Sequence, residues 1–224
     1  MPSFSSVLQG LDLSFLTDLL LSIIPALLCV TLHEMAHGYV ALRLGDTTAQ
    51  KAGRLTLNPL AHIDWYGLIM MLIFRFGWAK PVPVNMYNFK NPKRDMAITA
   101  AAGPLCNVLL AMITMLLYGF VFDWLIQSRV GIYVLQMMAT TAYLSIVLAV
   151  FNIIPIPPLD GSKVLFSLLN NRHYTFLMRI ERYGFVLLII LVYAGVTSGP
   201  LSTAADWLYD KIFNLAIFTN RLVT

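Results

Sequence analysis

Long apolar runs separated by short polar stretches dominate the chain. The first run begins near Leu13, passes Cys29 and Val30, and continues into HEMAHGYVALRLG, where Gly45 is the expected stop and Arg43 sits in the last turn. Pro25 lies inside this run, which neighbouring helices tolerate in a membrane. Residues 46–66, DTTAQKAGRLTLNPLAHIDWY, are polar and rich in turn formers, and predict an extended or looped segment at the membrane surface. Residues 67–79 are apolar but short for a crossing and contain Arg75, which suits a re-entrant or interfacial element. In KPVPVNMYNF valine alternates with proline, the pattern of a solvated edge strand. Two full spans are expected at 96–122 and 131–154, then a short helix at 162–171 and a further span at 175–196. The tail, 201–224, is amphipathic and suits either an interfacial position or a crossing. There is no internal repeat and no low-complexity tract.

Composition agrees with this pattern. Of 224 residues, 58% are hydrophobic and 12% charged, against about a quarter charged in soluble domains. The expected fold is an all-α polytopic membrane protein. It has about four to six transmembrane helices at ~20 apolar residues each, with a small extended or re-entrant element near 46–90. Residues 1–224 are expected to form a single membrane-embedded domain in contact with the lipid bilayer. The N-terminal MPSFSSVLQGLDLSFL lacks a basic region and a cleavage site, so the first span is expected to insert and stay. Cys29 and Cys106 both lie in apolar segments and are expected to be free thiols.

The net charge of +4 matters through its placement. Arg43, Lys51, Arg54, Lys80, Lys90, Lys93, Arg94, Lys163 and Arg172 fall in loops expected on one side, whereas the loop at 123–130 has only Arg129. The positive-inside rule makes the crowded side cytoplasmic in a multi-pass cell-membrane protein. No basic tract suits a nucleic-acid partner.

His33, Glu34 and His37 form H-E-x-x-H. On a helix, positions i and i+4 share a face, so two imidazoles can reach one zinc ion. Glu34, next to the first of them, can take a proton from a water that the ion activates. The motif continues a strongly apolar run, where ionisable residues are costly and usually functional. A plain helix end meeting the membrane surface is the competing explanation.

A catalytic zinc typically has three protein ligands and keeps one position for water. Asp160, in NIIPIPPLDG, is the candidate third. The prolines stop the preceding span and expose backbone groups, which a membrane tolerates where protein or water satisfies them. Alone, Asp160-Gly161 would read as a turn or helix cap. Its company with the zincin motif on one predicted side favours the ligand reading.

HEMAH in a membrane helix, Gly103-Pro104 with Asn107, and NIIPIPPLDG together resemble the site-2 protease family of intramembrane zinc proteases, over about residues 20–172. LNPLAHID and GWAKPVPVN are similar to segments of its compact bacterial and archaeal members. No insert is long enough for the PDZ or CBS regulatory domains of larger members. The resemblance implies one Zn2+ per chain held by His33, His37 and Asp160, with Glu34 catalytic. It implies that Asn152 holds the substrate strand or polarises its carbonyl. The expected partner is a membrane-protein or peptide substrate with a transmembrane helix.

Other residues are open to two readings. Asn107 can reach the site or its substrate, or simply bond between helices. Cys29 shares the face of His33 and suits a buried apolar position better than a fourth ligand. His62 and Asp64 could orient substrate, though a hydrogen-bonded loop histidine is the simpler reading. His173 is expected to be solvated. The rival function is a metal transporter or metal-binding sensor using the same histidines and aspartate. Glu34 separates the two, since a transporter has little use for a base beside a ligand.

Overall fold

The computed structural model describes residues 14–67, 69, 79–170, 174, 183–184, 186–190, 195 and 198–223. The helices are α1 (Ser14–Arg43), α2 (Thr48–Lys51), α3 (Pro92–Leu125), α4 (Arg129–Ile153), α5 (Asp160–Ser167) and α6 (Ser198–Val223). Short 3-10 turns occupy Pro59–His62 and Met86–Asn88.

Each long helix begins and ends for a local reason. α1 runs through Pro25 and stops at Gly45, whose φ of +110° lies in a region that side chains disfavour. Pro92 opens α3 at a position where a missing N–H costs nothing. Ser128 caps α4 by accepting from the N–H of Gly131 at 3.0 Å. The proline-rich stretch after Ile153 cannot continue α4.

α3 and α4 are joined by three residues, 126–128, so they run antiparallel. His37 lies against Thr99 and His33 against Asn107, so α1 and α3 also run in opposite directions. Cys29 meets Thr141 and Ser145 of α4, which therefore lies alongside α1. The core uses small residues for close helix approach: Ala111, Ala142, Ala205 and Ala216 pack with Met115, Ile146 and Ile212. The end of α1, the start of α3 and the end of α4 consequently gather at one end of the bundle.

Three helices among the described residues are long and apolar enough to cross a membrane: Leu19–Arg43, Pro92–Leu125 and Arg129–Ile153. Their outward faces carry exposed Leu20, Ile24, Leu105, Leu109, Val130 and Ile132, as lipid contact requires. This all-α membrane architecture agrees with the sequence, with three such spans among the described residues against the expected four to six. The re-entrant or interfacial element expected at 67–79 and the span expected at 175–196 lie mostly outside the described residues, as does His173. The tail from 201 to 223 belongs to α6, which packs lengthwise on α3. A Cβ at Gly119 would lie 2.1 Å from the Ala216 carbonyl oxygen.

Two local expectations change. Residues 46–66 hold a short helix and a 3-10 turn in place of a plain loop. The stretch 79–85 is no β-strand, and no strand occurs among the described residues. Pro81 and Pro83 bring no N–H to a ladder; Lys80 gives its N–H to the His62 carbonyl oxygen, and Val82 and Asn85 turn theirs to side chains, as described below.

Candidate active site

The last turns of α1 carry His33, Glu34 and His37. The two Nε2 atoms lie 3.0 Å apart. Asp160 Oδ2 lies 3.2 Å from Nε2 of His33 and 3.1 Å from that of His37. Both histidines are buried, at 5% and 8% exposure. Asp160 is the first residue of α5, and Gly161 lets that helix start hard against α4. A Cβ at Gly161 would lie 2.0 Å from the Ile153 carbonyl oxygen.

The donor chemistry of this cluster fits a metal ion. His37 Nδ1 lies 2.7 Å from the carbonyl oxygen of Thr99, which can only accept. Nδ1 therefore carries a proton, and Nε2, which faces Asp160, offers a lone pair when the ring is neutral. His33 Nδ1 faces the side-chain amide of Asn107 at 3.3 Å. Imidazole lone pairs and a carboxylate that converge this closely repel one another unless a proton or a metal ion lies between them. Tetrahedral zinc at about 2.0–2.1 Å from each ligand spaces them by about 3.3–3.4 Å. The observed separations of 3.0, 3.1 and 3.2 Å lie close to that.

α3 closes the back of the cluster at Gly103. A Cβ there would lie 2.4 Å from His37 Nε2 and 2.6 Å from His33 Cε1. Sequence reasoning quoted Gly103-Pro104 as a motif and missed this contact. A glycine beside a proline in an apolar span was the available signal.

A cavity of about 1070 Å³ opens in front of the cluster, lined in part by Glu34, Asp64, Val84, Asn152, Asp160 and Lys163. Asn152 donates to the Leu148 carbonyl oxygen at 2.9 Å. Asn107 is fully buried and absent from the cavity wall, so its amide meets His33. Cys29 turns to Thr141 and Ser145, away from the cluster, and both cysteines are free. His62 is buried and bonds the Thr56 carbonyl oxygen at 3.0 Å. Asp64 accepts from the N–H groups of Tyr66 and Gly67.

The Glu34 Oε2 accepts from the backbone N–H of Val82 at 2.8 Å. Three residues on, the N–H of Asn85 donates to Asp46 at 2.6 Å. Burial opposes ionisation of Asp46, but the Thr48 hydroxyl, the Asn88 amide and two backbone N–H groups hold its carboxyl below the usual carboxylate range. Neither contact of the 82–85 stretch was legible in the sequence, because they pair residues 48 and 39 positions apart.

The sequence model of peptidase family M50 matches residues 21–194. The chain belongs to peptidase family M50. This bears out the resemblance to site-2 proteases read from the paired motifs. A Bacillus subtilis relative, "Putative zinc metalloprotease YwhC", is 38% identical over 202 residues, which is 88% of this chain and 91% of that protein. Rip2 of Mycolicibacterium smegmatis, described in the same words, is 28% identical over 88% of this chain and 76% of its own. Rip2 of Mycobacterium tuberculosis is 28% identical over 82% and 71%. No solved structure matches the chain.

Proposed function

We propose that this M50 protein is a zinc-dependent endopeptidase that cuts peptide bonds in or near the transmembrane segments of membrane-protein substrates. The observation that carries this reading is the convergence of His33, His37 and Asp160 beside Glu34, at a cavity between span-length helices. The metalloprotease names of the relatives favour zinc as the ion.

One zinc ion per chain would be held by His33 Nε2, His37 Nε2 and Asp160. When bound, zinc supplies Lewis acidity that polarises the scissile carbonyl and acidifies a water near neutral pH. Glu34 takes the proton of that water and delivers it to the leaving amine. Thr99 holds the His37 imidazole with Nδ1–H outward; the Asn107 amide nitrogen lies 3.3 Å from His33 Nδ1 and its oxygen has no partner, so a half-turn of the amide would let that oxygen hold His33 in the same way. The burial of Asn107 favours this role over contact with substrate. Asn152, on the cavity wall, is placed to meet the substrate backbone.

A helix in lipid hides its peptide bonds in its own hydrogen bonds, so the substrate must unwind before attack. The 82–85 stretch suits capture of an unwound strand by backbone pairing. Val82 turns its N–H towards Glu34, and in extended chain the N–H and C=O of Val84 face the same edge. The clustering of basic residues in the loops on one side supports a site towards the cytoplasmic face.

Glu34→Gln tests the reading. The protein should stay folded, inserted and zinc-loaded, and lose cleavage of single-span test substrates by about 10²–10⁴-fold. Near-normal cleavage would refute the mechanism. Zinc uptake into vesicles by a wild type that cuts nothing would favour a transporter.

A further inference from the structure

Asp46 is fully buried in the turn that follows α1, and the reaction described above does not use it. Its Oδ1 accepts from the N–H of Thr48 at 3.0 Å, the Thr48 hydroxyl at 2.5 Å and the Asn88 side-chain amide at 2.7 Å. Its Oδ2 accepts from the N–H of Asn85 at 2.6 Å. A carboxylate removed from solvent stays ionised only where donors fill its lone pairs, and here four do. Two of these bonds belong to its own turn. The other two reach across 39 and 42 residues to the segment beside the active-site cavity.

That segment is strung between two carboxylates. Val82 gives its N–H to Glu34, and Asn85 gives its N–H to Asp46. Successive N–H groups of extended chain face opposite edges, so residues 82 and 85 point opposite ways. Pro81 and Pro83 have none to offer. Gly38 brings Val82 close to α1: a Cβ at Gly38 would lie 3.0 Å from a Val82 methyl.

We infer that Asp46 is a positioning residue for proteolysis. Through Asn85 it sets the register of the 82–85 stretch against α1, so that Val82 meets Glu34 and the edge bearing Val84 faces the cavity. The inference rests on the peptidase reading above. Apolar packing holds the region together without the carboxylate: Ala41, Phe89 and Met96 form a buried cluster, with Leu44, Val84 and Met86 against it. Loss of Asp46 therefore frees the register and leaves the chain folded.

Asp46→Asn isolates the contact. It keeps an oxygen for Thr48 and Asn88 but sets an N–H against the N–H of Asn85. The test uses the full-length protein in detergent, with zinc content, amide hydrogen exchange over residues 79–89 and cleavage of a single-span test substrate as readouts. Zinc content should not change. The Val82 amide, which does not touch Asp46, should exchange faster by on the order of tenfold, together with that of Asn85. KM for the test substrate should rise about tenfold while kcat stays within about threefold. Unchanged exchange at Val82 would overturn the inference, because a merely local role for Asp46 moves only Asn85. Unchanged KM would overturn it equally. A wild type that cuts no substrate would sink the peptidase reading, and the exchange measurement would still judge Asp46.

Discussion

Gly103 of α3 packs directly on the imidazole of His37, where a Cβ would lie 2.4 Å from Nε2. The neighbour is the proposed metal-binding atom itself, and the 2.6 Å approach to His33 Cε1 means that both rings are affected. Backbone and ligand set cannot both stay in place if this position gains a side chain.

Gly103→Ala is therefore expected to lower zinc affinity by about 10–100-fold, the usual cost of disturbing a ligand's immediate support. Helix content should be preserved, since alanine favours a helix over glycine. Metal analysis after dialysis against a graded chelator, with circular dichroism on the same samples, checks both. Wild-type zinc retention would show that α3 can back away at no cost.

Asn107 gives a sharper test of the protonation pattern. If its amide oxygen accepts the Nδ1–H of His33, Asn107→Asp keeps an acceptor there and should retain zinc. Asn107→Leu has similar bulk and no acceptor, and should lose about 10–100-fold in zinc affinity. Equal retention by both variants would remove Asn107 from the support of the site.

Topology is open to cysteine labelling. Gln50, Pro92 and Asn170 are exposed at the end of the bundle that holds the site, and Ile126 is exposed at the other. In intact cells, an impermeant thiol reagent should label a cysteine at 126 and spare those at 50, 92 and 170 until the membrane is opened. Labelling of 50 and 170 from opposite sides would break the shared site, because His37 and Asp160 could not then meet.

Much of this protein was legible in its sequence because a membrane leaves few choices. Apolar runs of span length must be helices, since lipid offers no other partner for backbone polar groups. Thus α1, α3 and α4 fall close to where the apolar pattern put them. H-E-x-x-H is a local signal, because helical geometry alone brings His33 and His37 to one face. The proline run before Asp160 likewise announced a broken helix.

Contacts between distant segments were decided only by the tertiary structure. The valine–proline alternation at 81–84 suggested a strand, yet Val82 turns its N–H to Glu34 and Asn85 turns its N–H to Asp46. Asn107 had two readings until α3 set it behind His33 and away from the cavity. Gly103 carries no side chain to suggest chemistry, and its importance is the space it leaves for two imidazoles. Periodicity and residue type determine which segments are helices and which residues can bind or base-catalyse. Which of them meet depends on how α1, α3 and α4 cross, and no local pattern encodes that.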